Sequence, residues 1–408
     1  MTEVTNQTTT LAVLLHGKRI GVLNKLAGER FLFAFDQDYV DDPNRPTLSL
    51  SYKSTTGGLL TTIRPSTMRL PPYFSNLLPE GALRDYLAAK AGVKPNREFL
   101  LLCQLGSDLP GAVTVEPLDY QDASPRPATD DTAAPNHHNA LFKFSLAGVQ
   151  MKLSALMKGK GHLTIPANGI GGDWIVKLPS PHYPAIAENE YAMMELARRV
   201  GIDVPEIRLI SVSEIDGLPA DMARITGQAL AVRRFDRLPD GRRVHMEDFA
   251  QVFGIYPDNK YGGRSYANIA AVLAAETGDA GVYEFIRRLV FTVLIGNGDM
   301  HLKNWTLLYP DGRSPKLSPA YDFVATTPYL PNDKLALTFG STKDISGITP
   351  EQIRRFADKA GLPVNPLWTI AQDMSVRVVE AWRELLAKDV LPAAMQDTIG
   401  QQIEHAAI

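Results

Sequence analysis

Apolar and polar residues alternate near the start of the chain, a pattern that predicts a small sheet. LAVLLHGKRIGVL reads as two strands that turn at Gly17, and ERFLFAFD and TLSLSY predict further strands. LPEGALRDYLAAKAGV instead repeats its apolar residues at helical spacing, and LPGAVTVEPL predicts one more strand. Residues 1–118 are therefore predicted to form a small α+β subdomain.

This pattern then breaks off. Residues 119–140 are rich in Pro, Asp, Ala and Thr and have almost no large apolar side chains, which predicts a linker or mobile loop. Residues 141–240 consist of strand-like segments around one helix, AIAENEYAMMELARRVG, which should end at Gly201. We interpret this stretch as a β-rich lobe.

From about Met246 onward the apolar spacing becomes mostly helical. GVYEFIRRLVFTVLIG predicts a buried amphipathic helix. Its apolar face comprises Phe285, Ile286, Leu289, Val290, Val293 and Leu294. NWTLLYPDGRSPKLSPAYDF predicts a hairpin that turns at Asp311 and Gly312. A β-rich lobe followed by a helical lobe, residues 241–408, suits a nucleotide clamped between the two.

Composition and charge exclude several classes of protein. The chain has 408 residues, of which 45% are hydrophobic and 21% charged, as in ordinary soluble globular proteins. The net charge of -3 argues against strong intrinsic affinity for nucleic acid. The single cysteine, Cys103, leaves no disulfide framework and no cysteine zinc site. MTEVTNQTTT lacks the features of a secretory signal, and no apolar run approaches the ~18 residues of a membrane span. We expect a cytoplasmic protein with no membrane contact.

Candidate chemistry lies in IGNGDMHLKNWTLLY, directly after the predicted buried helix. Asp299 and Asn304 are five residues apart, the spacing by which kinase catalytic loops place a base and a magnesium ligand. Asp322, in SPAYDFVA, follows the hairpin and could supply the second carboxylate, with Tyr321 and Phe323 beside it. Phosphoryl transfer needs mainly positioning and charge neutralisation, which these groups could supply.

Two further segments fit the same chemistry. Lys177 stands between apolar neighbours in WIVKLPS, where an isolated charge is costly without a partner. Glu188 and Glu190 on the following helix are its candidate ion-pair partners, and Glu190 is favoured. FSLAGVQMKLS could cradle phosphates with its backbone N–H groups, and Lys152 could add charge.

Each of these signals is weak when taken alone. A DxxxxN pattern in a loop occurs often by chance, and Lys177 could extend its charge to solvent at a sheet edge. The arginines at Arg233, Arg234 and Arg237 suit a solvated strand face. The consistent order of phosphate loop, lysine, Asp/Asn loop and second Asp is what favours a kinase.

In this order, the segments resemble the HipA family of serine/threonine-kinase toxins from bacterial toxin–antitoxin modules. The resemblance rests on FSLAGVQMKLSA, WIVKLPS, NEYAMMELARRVGIDVPE, ALAVRRFDR, HMEDFAQVFG, IGNGDMHLKN and LSPAYDF, with NLLPEG earlier in the chain. It implies an α+β fold with a small N-terminal subdomain and a two-lobed core related to protein and phosphoinositide kinases.

The resemblance also implies a role for each matching residue. Asp299 would be the catalytic base, Asn304 and Asp322 would hold Mg²⁺, and Ser145 would be an inactivating autophosphorylation site. The implied ATP contacts are Ala147, Gly148, Val149, Gln150, Met151, Lys152, Lys177, Arg233, Arg234, Phe235, His301, Lys303, Asn304, Tyr321 and Asp322. Arg233 stands where an acidic residue can occur, and Met246 where a polar adenine contact can.

The implied partner is a small helix-turn-helix antitoxin, HipB-like, through which operator DNA would be bound. The implied substrates are aminoacyl-tRNA synthetases, especially glutamyl-tRNA synthetase. The expected function is thus an ATP-dependent protein serine/threonine kinase that acts as a growth-arrest toxin. One alternative is a small-molecule kinase of the aminoglycoside-phosphotransferase type, which shares the GDxHxxN loop. Another is a transcriptional co-repressor without kinase activity.

Overall fold

The computed structural model describes residues 8–118, 151–158, 162–166, 172–220, 222 and 224–408. The predicted linker, residues 119–140, lies outside them.

The first subdomain is built on an antiparallel sheet. Its strands are β1 (Thr10–Leu15), β2 (Lys18–Leu26), β3 (Arg30–Phe35), β4 (Ser66–Thr67) and β5 (Val113–Pro117), in the spatial order β4-β3-β2-β1-β5. Its helices are α1 (Gln37–Asp41), α2 (Pro72–Ser75), α3 (Gly81–Ala91) and α4 (Glu98–Leu105). β1 and β2 are joined by His16 and Gly17, both at positive φ, the backbone of a tight hairpin turn. The predicted turn at Gly17 is thereby confirmed.

The segment TLSLSY is not a strand, contrary to the prediction. Leu50–Tyr52 forms a 3₁₀ helix, capped by the Ser49 side chain, which accepts from the N–H of Ser51. The N–H of Leu50 donates to the carboxylate of Glu247, at 2.9 Å, in the helical lobe. This segment therefore forms a contact between the first subdomain and the helical lobe rather than a strand ladder.

A second sheet forms the β-rich lobe. Its strands are β6 (Lys152–Lys158), β7 (His162–Thr164), β8 (Trp174–Lys177), β9 (Ile207–Ser211), β10 (Ile215–Asp216) and β11 (Gln228–Arg233), in the order β10-β7-β6-β8-β11-β9. The predicted helix is α5 (Ile186–Arg199), and Gly201 follows it at φ +86°. Lys152 of β6 lies directly opposite Lys177 of β8 in the antiparallel register, so both side chains lie on one face of the sheet.

The remaining part is mostly helical, with one small sheet. That sheet contains β12 (His245–Asp248), β13 (Thr306–Tyr309) and β14 (Lys316–Leu317). The helices are α6 (Phe249–Val252), α7 (Tyr266–Leu294), α8 (Pro350–Ala360), α9 (Val364–Arg383) and α10 (Ala393–Ala406). Met246 lies in a strand, so the helical part starts slightly later than predicted. β13 and β14 form the predicted antiparallel hairpin.

The core of the helical lobe surrounds α7. This helix bends at Gly278, and the second half buries every residue of the predicted apolar face. Burial of such side chains contributes about 1.5–3 kcal/mol each. The buried helix thus gives a rigid base for the loop that follows it. None of the helices in the described part of the chain combines the length and the apolarity that crossing a bilayer requires.

Candidate active site between the lobes

The loop after α7 is held by backbone and amide contacts. Gly298 passes so close to Asp333 that an added Cβ would lie 2.1 Å from its Oδ2. The buried side chain of Asn297 accepts from the N–H of Asp299 at 2.9 Å and donates to the carbonyl of Asp322 at 3.2 Å. Asn297 therefore fixes the loop to the segment that carries the second carboxylate.

Asp299 and Asn304 are linked directly. The Nδ2 of Asn304 donates to the backbone carbonyl of Asp299 at 2.9 Å, across the 3₁₀ helix Leu302–Asn304. This bond occupies the amide nitrogen, and within the described part of the chain no group donates to Oδ1 of Asn304. That oxygen is therefore available as a ligand.

Lys177 and Asp322 form the centre of the charged cluster. The buried ammonium group of Lys177 contacts both Glu190 and Oδ1 of Asp322, and Lys152 lies 3.3 Å from the other oxygen of Asp322. The predicted choice of Glu190 over Glu188 is confirmed. Asp322 adopts the left-handed region at φ +56°, which is uncommon for a residue other than glycine.

The charges in this cluster decide its protonation. Burial would raise the pKa of Asp322, but the ammonium groups of Lys152 and Lys177 outweigh it and hold that pKa below its usual value. Burial would lower the pKa of Lys177, but Asp322 and Glu190 raise it. Burial raises the pKa of Glu190. Lys177 is thus charged and Asp322 ionised.

The donor set fits a magnesium site of the kind that phosphate-transfer enzymes use. Mg²⁺ prefers oxygen ligands and is held by one or two carboxylates together with substrate phosphates and water. The ionised Asp322 and the available amide oxygen of Asn304 could supply such ligands. Among the described residues, no group of three or more His, Cys, Asp or Glu side chains forms a metal cage.

The cluster lies where two halves of a cleft join. One half, about 860 Å³ with its open mouth, is lined by apolar side chains such as Ile175, Val232 and Met246. The other half, about 1260 Å³, is lined by Asp299 and its neighbours. Both halves are lined by Lys152, Lys177, Asn304 and Asp322. The geometry suits a nucleotide with its base in the first half, the base half, and its phosphates at the junction. The second half, the acceptor half, would then receive the group to which phosphate is transferred.

The strand expected to face adenine lines the first half of the cleft. The N–H groups of Arg233 and Arg234 are already donated to the carbonyls of Glu206 and Asp173, each at 2.8 Å. In the described residues the N–H of Phe235 makes no hydrogen bond. Of the three expected residues, Phe235 is therefore the one whose backbone N–H is free to donate to the adenine of a bound nucleotide.

The expectation of a solvated arginine face is wrong for two of its three members. The Arg234 side chain is buried and forms a paired contact with Asp236, at 3.0 and 2.9 Å. Arg237 donates to Asp108 of the first subdomain at 2.9 Å. Only Arg233 has an exposed side chain. The buried arginines find carboxylate partners, which sequence spacing alone does not reveal.

Lys303 also lines the base half of the cleft, but its ammonium group already pairs with other protein groups. Its Nζ donates to the carbonyl of Asn76 at 2.8 Å and to Asp248 at 3.0 Å. Lys260, from the loop before α7, likewise pairs with Glu80 of the first subdomain at 2.6 Å. Lys303 and Lys260 therefore tie the loops on either side of α7 to the first subdomain, a contact that sequence reasoning missed.

His301 lies in the other half of the cleft, with Nε2 4.0 Å from Oδ1 of Asp299. Burial lowers the pKa of His301 well below its usual value, so the ring is neutral. Tyr321 lines the base half, where its hydroxyl donates to the carbonyl of Lys303 at 2.9 Å. Met151 accepts from the N–H of Leu178 at 2.9 Å and is half-buried. Ser145, Ala147, Gly148, Val149 and Gln150 lie outside the described residues.

Tyr261 is a site residue that sequence reasoning also missed. Its hydroxyl donates to Oδ1 of Asp299, and its ring meets His301 edge-on at 5.0 Å. It lies in a loop without apolar periodicity, 38 residues before Asp299. No pattern in the chain connects the two positions.

Comparisons with known proteins agree with this architecture. Residues 11–116 match the HipA N-terminal domain, and residues 144–382 match the HipA-like C-terminal domain. "Putative kinase Y4dM" of Sinorhizobium fredii is 50% identical over 96% of this chain and 95% of its own. The serine/threonine-protein kinase toxin HipA of Shewanella oneidensis is 26% identical over 96% of this chain and 92% of its own.

A solved structure has the same fold. In the complex of Shewanella oneidensis HipA with HipB and its operator DNA, the matching chain has a TM-score of 0.73 and 24% identity, with 97% of each chain covered. The predicted fold class is confirmed: an α+β chain with a small N-terminal subdomain and a two-lobed, kinase-like core. The chain belongs to the HipA family of kinases.

Proposed function

We propose that this chain is an ATP- and Mg²⁺-dependent protein serine/threonine kinase that acts as the toxin of a toxin–antitoxin module. The observation that carries the proposal is the meeting of Lys177, Asp322 and Asn304 at the junction of the two half-clefts, with Asp299 on the acceptor side. Phosphoryl transfer uses groups of these kinds to bind the metal and the phosphates and to receive the acceptor's proton, which supports the proposal.

Each side chain has a defined task in this reaction. Asp322 and Asn304 would hold Mg²⁺, which would neutralise charge on the phosphates. Lys177 binds phosphate oxygens, and Glu190 keeps its ammonium group in place. The acceptor hydroxyl loses its proton to the carboxylate of Asp299. Its oxygen forms a bond to the γ-phosphorus while the bond from that phosphorus to the bridging oxygen breaks, and ADP leaves.

The rim of the acceptor half favours a protein over an aminoglycoside. Tyr183, Tyr261 and Leu330 are 36%, 44% and 51% exposed, and all three line this half of the cleft. Large exposed apolar side chains grouped at one site suit side chains of a polypeptide.

Family membership supports the remaining parts of the proposal. A HipB-like antitoxin is the proposed partner, with operator DNA bound mainly through it, because the net charge of -3 offers little attraction for DNA. The proposed substrate is a translation protein such as an aminoacyl-tRNA synthetase. Ser145 is the proposed autophosphorylation site, where added negative charge would repel the phosphates of ATP. The cytoplasm is the proposed location.

The proposal is tested by expressing wild type and Asp299→Asn in bacteria and comparing growth and the phosphoproteome. Wild type should arrest growth and phosphorylate at least one protein on Ser or Thr; Asp299→Asn should do neither and still bind the antitoxin. Asp373→Asn, in a half-exposed ion pair on α9, is the control and should behave as wild type. Equal arrest by Asp299→Asn would favour a non-catalytic co-repressor. Transfer only to small hydroxyl compounds would favour the small-molecule kinase.

A further inference from the structure

Asp299 has a fixed backbone but a side chain with little to hold it. Its N–H donates to Asn297 and its carbonyl accepts from Asn304, each at 2.9 Å. The side chain is 47% exposed. Nε2 of His301, at 4.0 Å, is too distant for a hydrogen bond. In the described residues, the one hydrogen bond to this carboxylate comes from Tyr261.

Tyr261 is itself held on several sides. Its carbonyl accepts from Nζ of Lys343 at 3.0 Å. The carbonyl of the preceding Lys260 accepts from the N–H of Leu302 in the catalytic loop, at 3.2 Å. The ring of Tyr261 lies edge-on to the ring of His301, with an interplanar angle of 85°. Partial burial and the negative charge of Asp299 raise the pKa of Tyr261, so the hydroxyl remains protonated and acts as a donor.

We propose that Tyr261 is a positioning residue for the catalytic base: its hydroxyl holds Oδ1 of Asp299 so that Oδ2 faces the acceptor hydroxyl. This inference rests on the proposed function, since it takes Asp299 as the base. A carboxylate that rotates freely spends only part of its time in the reactive orientation, and a fixed donor removes that loss. The backbone hydrogen bond from Leu302 to Lys260 also ties the segment of Tyr261 to the loop of Asp299.

The same hydrogen bond could have another meaning. Tyr261 could occupy the place of the acceptor hydroxyl and block it until the loop moves. The two roles predict opposite kinetics: removal of a positioning hydroxyl lowers kcat, whereas removal of a blocking group raises kcat/KM. Two observations favour positioning. The main chain of Tyr261 is anchored by Lys343. Oδ2 of Asp299 accepts no hydrogen bond in the described residues, so the bond from Tyr261 to Oδ1 leaves it open to an acceptor.

The test compares Tyr261→Phe with wild type in the full chain. Phe keeps the ring against His301 and removes only the hydroxyl. Two initial rates are measured in the presence of Mg²⁺. The first is transfer of phosphate from radiolabelled ATP to dephosphorylated casein. The second is ATP hydrolysis, in which water is the acceptor. We expect kcat to fall about tenfold in both reactions, as for loss of one hydrogen bond to a charged group, with both KM values within about twofold. Tyr283→Phe, at a half-buried position on α7, is the matched control and should match wild type.

Three outcomes would overturn the inference: unchanged kcat, an increase in kcat/KM, or a rise in KM alone. Thermal unfolding of each variant is recorded, and rates are compared at a temperature where both proteins are folded. Asp299→Asn is assayed in parallel. Activity of Asp299→Asn equal to wild type contradicts the proposed function, whereas an inactive Asp299→Asn beside a fully active Tyr261→Phe contradicts only the role of Tyr261.

Discussion

Lys303 and Asn76 join the loop that follows α7 to the first subdomain: Nζ of Lys303 donates to the backbone carbonyl of Asn76 at 2.8 Å and to its side-chain oxygen at 3.1 Å. Asn76 in turn donates to the carbonyl of Ile255 at 2.8 Å. Since Lys303 directly precedes Asn304, the position of the proposed metal ligand depends on a contact with a residue 227 positions earlier in the chain.

Lys303→Met should weaken both folding and nucleotide binding. Met keeps the length of the stem but leaves the carboxylate of Asp248 without its buried partner. We expect the free energy of unfolding to fall by about 3 kcal/mol, as when one partner of a buried pair is removed. Urea unfolding and ATP titration measure the two effects. The exposed Lys316→Met is the control, and equal stability of the two variants would contradict the coupling.

Glu190→Gln and Glu188→Gln form a matched pair on α5. Only Glu190 contacts Lys177, and Glu188 is half-buried two residues earlier. Loss of the Glu190 charge leaves the ammonium group held by Asp322 alone, and Asp322 is the proposed Mg²⁺ ligand that would have to release it. We expect Glu190→Gln to lower kcat/KM for ATP about tenfold, a typical effect of one charged hydrogen bond. Glu188→Gln should keep wild-type rates, and an equal loss in both would contradict a specific role for Glu190.

Asp108→Asn should destabilise the chain through the arginines behind the nucleotide cleft. Asp108 is buried and accepts from Arg237 at 2.9 Å, and Nη1 of Arg234 lies 3.5 Å away. Removal of the charge leaves both guanidinium groups with Asp236 as their main partner, at a cost of about 3 kcal/mol. The control is Asp240→Asn, at an exposed pair with Arg242, which should change little. Chemical unfolding compares them.

Glu247 should make stability fall as pH rises through the mildly acidic range. Burial raises its pKa to about 7, although Ser49, Tyr309 and the N–H of Leu50 donate to it. The folded state therefore binds more protons than the unfolded state between about pH 4.5 and pH 7, and stability is lost as pH rises across that window.

Glu247→Gln isolates this effect, of roughly 3 kcal/mol over the window. His245 acts in the opposite direction, because burial lowers its pKa from 6.5 to about 4. Between these values the unfolded state binds more protons, so the free energy of unfolding rises with pH. His245 is present in both proteins, so it cancels in the difference between wild type and variant. The variant should gain stability relative to wild type as pH rises to 7, and a pH-independent difference would contradict the shifted carboxyl.

Sequence alone predicted what depends on local pattern. Apolar periodicity predicted three elements that the structure contains: the buried half of α7, the hairpin that follows it and the strand of Lys177. In these elements the tertiary contacts agree with the local preference of the sequence. The pairing of Lys177 with Glu190 was also predictable, because a buried lysine needs an acid nearby. The magnesium and base roles of Asn304, Asp322 and Asp299 stay predictions.

What sequence missed depends on contacts between distant segments. Tyr261, Asn76 and Asp108 act on residues far along the chain, and no spacing rule connects them. TLSLSY has the alternation of a strand, but Glu247 and the Ser49 cap take its hydrogen bonds instead. The arginines Arg234 and Arg237 look solvated until the fold brings buried carboxylates to them.

The first subdomain supplies Asn76, Leu77 and Pro110 to the wall of the nucleotide cleft. Exchange of the C-terminal domain between relatives therefore separates part of this cleft from its wall. A chimera joined between the two domains receives a foreign wall, and we expect its affinity for nucleotide to fall when these three positions do not match.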